Sequence, residues 1–185
     1  MKIYFVGSIS GREKYLKNYQ AIIRKLKKLD HEVIENTISP KKEWVYSLTD
    51  KQKVEYYKQV LDWINGVDVV VAESSYSSIS VGHEISVALE KEKPVIVLYK
   101  EGEASHFLRG IDSEKVQVIK YDDKDLGPIL EQAINKASFQ ADTRFNFFIS
   151  PRIVNYLDWI AKKKRIPRAV YLRRLIEKDM KRSEE

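Results

Sequence analysis

Two segments in the first half of the chain share one layout: KIYFVGSISG at Lys2–Gly11, and VDVVVAESSYSSISVGHEISVALEKEKPVIVLY at Val67–Tyr99. Each starts as a short apolar run, breaks into a Gly/Ser-rich turn, and continues with helical periodicity. A strand followed by such a turn and a helix ends with backbone N–H groups aimed at one spot. That is how parallel α/β sheets hold phosphate at their strand carboxyl ends. The second turn also brings Glu84 just behind Gly82. A carboxylate beside a Ser/Gly cradle points to chemistry on the sugar of a nucleotide as well as binding of its phosphate.

The rest of the first 137 residues repeats the alternation. Lys2–Val6 is expected as a buried strand. Arg12–Leu29 follows as a helix with Leu16, Tyr19, Ile22, Ile23, Leu26 and Leu29 on one face. His31–Glu35 is predicted as a short strand and Ser39–Leu48 as a loop. Thr49 opens a capping box with Gln52, ahead of a helix over Lys53–Ile64. Val67–Ala72, Pro94–Tyr99 and Val116–Tyr121 complete the strands, with helices at Val81–Glu90 and Asp125–Lys136. The expected fold is α/β: a flavodoxin-like, doubly wound, parallel five-stranded sheet covered on both faces. Residues 138–142 are expected to be a linker, and residues 143–185 a small strand-helix-helix module.

Composition excludes several chemistries. The 185 residues contain no cysteine, so disulfides, thiolate nucleophiles and Cys-based metal sites are ruled out. His31, His83 and His106 lack ligand spacing, so neither a metal nor another cofactor is expected. No apolar run approaches the roughly 20 residues of a membrane span. Reading from Met1 the chain enters a strand pattern directly, without a leader, and a cytoplasmic location is expected. Charge is uneven: residues 143–185 hold 12 Lys/Arg and 5 Asp/Glu, against 21 and 22 in the remainder. Only the tail asks for a polyanionic partner.

YFVGSISG, DWINGVDVVVAE, SSISVGHE, KPVIVLY and SHFLRG, in that order, resemble the nucleoside 2-deoxyribosyltransferase family, above all its 2'-deoxynucleoside 5'-monophosphate N-hydrolase branch. The resemblance covers about residues 2–121. It implies a glutamate that attacks the anomeric carbon of deoxyribose and displaces the base, with water or a second base resolving the glycosyl-enzyme. Glu84 in VGHE falls on that nucleophile, and Tyr4 on the tyrosine that hydrogen-bonds it. Ser8, Ser78 and Ser105 fall on phosphate-contacting serines, the last supplied across a subunit boundary. Ile9 belongs to the same phosphate turn, and Gly7 and Gly82 allow close backbone approach. Two positions depart from the pattern. Val60 in YKQVLDWI stands where the family has an aspartate that orients the sugar or helps protonate the base. Asp62, about 200° further round a helix, cannot replace it. Ser10 stands where the hydrolase branch has a phosphate-binding arginine, a loss for which Arg12 would partly compensate. The implied ligand is a deoxynucleotide bound by a homodimer or larger oligomer.

TRFNFFISPRIVNYLDWIAKKKRIPRAVYLRRLIEKDM resembles the ribbon-helix-helix DNA-binding module over about residues 143–181. Phe145, Phe147 and Ile149 alternate with Arg144, Asn146 and Phe148, and Ser150-Pro151 begins a helix as cap and first position. Two helices are predicted, with Ile153, Tyr156, Leu157 and Ile160 inward on the first and Ala169, Leu172, Leu175 and Ile176 on the second. The resemblance implies that Arg144, Asn146 and Phe148 face bases of duplex DNA and that Arg168 stands at a phosphate-clamping helix start. Three readings are open. The chain is an N-glycosidase or transferase, or a catalytically weak nucleotide sensor fused to a DNA-binding regulator, or an enzyme whose tail serves assembly alone.

Overall fold

Five short strands form a single parallel sheet in the computed structural model, which describes residues 1–38, 47–102, 106–140, 147–164 and 166–183. The elements follow in order: β1 (Lys2–Gly7), α1 (Arg12–Lys28), β2 (Glu32–Glu35), α2 (Asp50–Asn65), β3 (Val69–Glu73), α3 (Ile79–Glu90), β4 (Val95–Tyr99), α4 (His106–Arg109), β5 (Val116–Lys120), α5 (Leu126–Gln140), α6 (Pro151–Lys164) and α7 (Arg168–Ser183). Strand order is β2-β1-β3-β4-β5 and every pairing is parallel, with Ile3 opposite both Val33 and Val69. The fold is the expected α/β one. The chain leaves β1 for one side of the sheet and returns to the other, so a crevice opens outside the carboxyl ends of β1 and β3.

The two faces of the strands sort the side chains. Ile3, Phe5, Val69, Val71, Ile96 and Leu98 meet α1 and α5, which contribute Tyr19, Ile22, Leu26, Leu130 and Ile134. Tyr4, Val6, Val70, Ala72, Val95 and Val97 meet Val60 and Ile64 of α2 and Val81, Ile85 and Ala88 of α3. Burial on both sides is why β1, β3 and β4 read as nearly continuous apolar runs. The capping box forms as expected: Thr49 N–H donates to Gln52 Oε1 at 2.9 Å, while Thr49 Oγ1 accepts from Gln52 N–H. Gly7 is needed for packing, since a Cβ there would lie 3.1 Å from the Tyr19 ring.

Two compact units divide the chain, Met1–Asp142 and Thr143–Glu185. Helix α5 runs through residues 138–140, where a linker was expected. Ala133, Ile134 and Ala137 are buried on it, and its apolar periodicity carries the helix past Lys136.

In the second unit the expected strand over 143–150 does not appear among the described residues. Phe147–Ser150 lie outside any regular element, and Arg144 and Asn146 lie outside the described residues. A lone strand has no ladder to join within one copy of the chain. Pro151 does begin α6, whose Ile153 and Val154 N–H groups donate to the Ser150 carbonyl. Leu157 and Ile160 are buried, but Ile153, Tyr156, Leu175 and Ile176, expected inward, are exposed. Two helices can bury only one stripe each against the other. Arg168, expected at a phosphate clamp, is ion-paired with Asp158.

Candidate functional site

Tyr4 is the third residue of β1 and faces α3. Its hydroxyl donates to Glu84 Oε2 at 2.7 Å, across 80 residues of sequence. Glu84 sits one and a half turns into α3, at the end of the sheet where the crevice opens. Burial pushes its carboxyl up to about 7, against the opposing effect of the Tyr4 hydrogen bond. Near neutral pH it therefore exists as both carboxylate and acid. Tyr4 is itself raised far above the ordinary phenol range, by burial first and then by Glu84, so it stays a donor.

Asn36, buried just beyond β2, accepts from Thr37 Oγ1 through its side-chain oxygen and lies near the Tyr4 and Tyr56 phenols, where it slightly offsets the upward shift of each. Its place is fixed by the next residue: Gly7 N–H donates to Thr37 Oγ1 at 3.0 Å, and Thr37 Oγ1 donates back to the Gly7 carbonyl. Tyr56 lies on α2, and burial, then Glu84, pushes its hydroxyl up to about 12. The Trp63 ring supports both phenols, 6.0 Å from Tyr4 and 6.5 Å from Tyr56. Beside them Tyr57 and His83 form an exposed pair, with Tyr57 Oη 2.9 Å from His83 Nε2 and ring centroids 5.6 Å apart. Val60 is only 4% exposed and packs in the apolar layer, whereas Asp62 faces solvent as the helical geometry requires.

The expected phosphate residues occupy the turns at the strand ends. Ser8 is buried; its Oγ accepts from Gly11 N–H at 3.2 Å, and its carbonyl accepts from the Tyr19 hydroxyl. Ile9 lies in the same turn, its carbonyl taking Arg12 N–H. Arg12 Nη2 donates to the Ile38 carbonyl at 2.9 Å, so its guanidinium is tied to the segment after β2. Ser78 is the N-cap of α3 and accepts from Val81 N–H. A Cβ on Gly82 would meet nothing within 4 Å, so the space before it is open. Ser105 lies outside the described residues.

Sequence reading missed Asn36 and Tyr56. Asn36 could have been found as the first residue past a parallel strand, the place where such sheets put functional groups. Tyr56 could have been found one helical turn before Val60. It also missed Glu73, fully buried on the opposite face of the sheet, where it accepts from Ser75 Oγ and, at 3.1 Å, from the Tyr121 hydroxyl. Ser75 Oγ in turn accepts Lys100 N–H at 2.8 Å, which fastens the turn leading to Ser78. Among the described residues no group of three His, Cys, Asp or Glu side chains could hold a metal ion. No described helix is long and apolar enough to cross a membrane.

No family model matches the chain. A Syntrophotalea carbinolica protein named 2'-deoxynucleoside 5'-phosphate N-hydrolase 1 is 32% identical over 139 residues, covering 72% of this chain and 94% of that protein. The 5-hydroxymethyl-dUMP N-hydrolase of Danio rerio is 31% identical over 141 residues, covering 71% and 94%. Among solved structures, the fold is shared with a Clostridium botulinum CMP N-glycosidase, with TM-score 0.54, 21% identity and coverage of 71% and 99%. It is shared also with a 2-deoxyribosyltransferase of Bacillus psychrosaccharolyticus, with TM-score 0.53, 19% identity and coverage of 69% and 90%. With two relatives above 30% identity matched over nearly their whole length, the chain belongs to the 2'-deoxynucleoside 5'-phosphate N-hydrolase family.

Proposed function

We propose that this protein cleaves the N-glycosidic bond of 2'-deoxynucleoside 5'-monophosphates, with Glu84 as nucleophile. The observation that carries the reading is the Tyr4–Glu84 pair: a partly buried carboxylate, oriented by a 2.7 Å hydrogen bond and poised near neutral pH. A Glu84 oxygen bonds to the anomeric carbon, and the carbon–nitrogen bond breaks with its electron pair leaving on the base. The base takes a proton from solvent. Water then bonds to the same carbon, releasing its proton to solvent, and the ester electron pair returns to Glu84. Ser8, Ser78 and the α3 N-terminus suit the phosphate. Relatives named as N-hydrolases favour water over a second base as acceptor. Each deoxynucleoside monophosphate, incubated with the protein, should yield free base and deoxyribose 5-phosphate. Glu84→Gln should abolish release while nucleotide binding persists. Unchanged release in that variant refutes the nucleophile, and incorporation of a labelled free base would make the enzyme a transferase.

For Thr143–Glu185, the exposed Ile153, Tyr156, Trp159, Leu175, Ile176 and Met180 favour self-association. We infer an arm that pairs with a second copy in the manner of a ribbon-helix-helix module. Duplex DNA is its candidate ligand through Arg144, Asn146, Phe148 and Arg168.

A further inference from the structure

Glu73 ends an otherwise apolar strand, VVVAE, and is fully buried. A carboxyl group costs free energy in such a place unless hydrogen bonds replace its water. Glu73 Oε1 accepts from the Ser75 hydroxyl and, at 3.1 Å, from the Tyr121 hydroxyl, while Oε2 accepts from Ser75 N–H at 3.4 Å. Ser75 Oγ in turn accepts Lys100 N–H at 2.8 Å. Ser75 follows β3, Lys100 follows β4 and Tyr121 follows β5. One carboxylate therefore gathers the exits of three neighbouring strands, at the end of the sheet where the crevice opens. The reaction written above gives it no part, since it lies on the sheet face opposite to the one α3 covers.

The turn it holds is the one that starts α3. Residues 74–78 read Ser-Ser-Tyr-Ser-Ser, with no glycine or proline to fix their course, so hydrogen bonds fix it instead. Ser74 is tied to the Leu98 carbonyl by its N–H at 2.8 Å and its hydroxyl at 3.3 Å. Ser75 is tied to Glu73, and Ser78 caps the helix by accepting Val81 N–H. Between them Tyr76 lies against the turn after β1: a Cβ at Gly11 would fall 2.6 Å from Tyr76 Cβ. Gly11 N–H donates to Ser8 Oγ, and Gly7 stands beside Glu73 in the parallel register. The two strand-end turns thus touch, and a shift of the second changes its place against the first. We propose that Glu73 is a positioning residue which, through the Ser75 hydroxyl, sets the course of the 74–78 turn and so holds Ser78 and the α3 N-terminus, together with Ser8, at the substrate's 5'-phosphate. This rests on the N-glycosidase reading above and on its placement of the phosphate. Glu73 touches no substrate; it acts on binding, and the step at the anomeric carbon stays with Glu84.

The test separates the turn from the rest of the carboxylate's partners. Base release is measured on a 2'-deoxynucleoside monophosphate, and binding of deoxyribose 5-phosphate by titration calorimetry, for the full-length protein and its variants. Ser75→Ala frees the turn from Glu73 and should raise KM and the Kd for deoxyribose 5-phosphate about 3- to 10-fold, the worth of one hydrogen bond, with kcat changed less than about 2-fold. Ser75→Thr keeps the hydroxyl and should restore both. Glu73→Gln should shift KM in the same direction, and combining it with Ser75→Ala should add little to Ser75→Ala alone, because the two act as one link. Tyr121→Phe removes the other hydroxyl from the same carboxylate without touching the turn. It should lower the melting temperature and leave KM within about 2-fold of wild type. Circular dichroism checks that each variant folds. An unchanged KM in folded Ser75→Ala, a loss confined to kcat, or a Tyr121→Phe that raises KM as much as Ser75→Ala overturns the assignment while leaving Glu84 catalysis standing. A wild type that neither binds deoxyribose 5-phosphate nor releases base from any deoxynucleoside monophosphate removes the underlying reading and this one with it.

Discussion

In the proposed reaction Glu84 is the nucleophile, and its environment sets a pH dependence. A nucleophile must be ionised, and burial places this carboxyl at about 7. The rate should therefore fall on the acid side of about pH 7, where an unburied glutamate would stay active to near pH 4.5. The Tyr4 hydrogen bond favours the charged form, so Tyr4→Phe should move that acid limb to higher pH as well as slow the enzyme. A limb that stays in place would mean that Tyr4 positions Glu84 without tuning it. Stability depends on pH in the same window. The folded protein keeps a proton on Glu84 that the unfolded chain releases between 4.5 and about 7, so folding is favoured at low pH and the gain is lost as pH rises through 7. Moving the carboxyl from 4.5 to about 7 corresponds to roughly 3 kcal/mol. Glu84→Gln should raise the melting temperature at pH 8 and change it much less at pH 5. The opposite ranking in calorimetry would show that Glu84 is not desolvated.

At the scale of elements, α2 shows how a sheet-covering helix also shapes the site. Val60 and Ile64 bury against the sheet, while Tyr56 and Trp63 turn toward Tyr4. Val60→Asp restores the family carboxylate but puts a charge into an apolar layer. It should raise turnover, by up to the roughly 10²–10⁴-fold typical of acid assistance, and lower stability by about 1–3 kcal/mol. Denaturant melts beside initial rates separate the two effects, and a slower variant would show that the pocket is organised around an apolar residue 60. Much of this arrangement was legible in the sequence. Doubly buried parallel strands leave continuous apolar runs, and the Thr49–Gln52 box is a local pattern that formed as read. Glu84 and Tyr4 entered as a pair only through the family resemblance, since nothing local links residues 80 apart. Asn36 and Tyr56 stayed hidden because their place near Tyr4 arises from three segments converging, and neither lies in a motif. Glu73 was hidden for the same reason: its partner Tyr121 is 48 residues away. The linker was misplaced because apolar positions in α5 continue to Ala137 and the helix coasts on to Gln140.

For the whole molecule the division at Asp142 separates two kinds of stability. Met1–Asp142 carries two cores on a five-stranded sheet, and relatives matched over 94% of their length cover only 71–72% of this chain. A protein ending at Asp142 should therefore fold, melt cooperatively and retain nucleotide binding. Thr143–Glu185 is different. Among its described residues Leu157 and Ile160 are the buried apolar ones, against six large exposed ones on α6 and α7. A unit of this size rarely holds itself together without a partner or a staple, and the chain has no cysteine to staple it. Light scattering should find the full-length protein as a dimer or larger and the protein ending at Asp142 in a smaller state. Equal masses would place any association in the first unit. The basic excess belongs to the same segment, 12 cationic against 5 anionic residues. If it meets duplex DNA, binding should weaken with salt at a slope of about −0.9 per phosphate neutralised, and truncation should abolish it. Arg144→Ala should then cost sequence preference more than affinity, whereas Lys162→Ala should weaken all duplexes alike. A full-length protein that forms dimers yet shows no salt-dependent binding to any duplex assigns the tail to assembly alone, its lysines serving to complement the α6 carboxyl end.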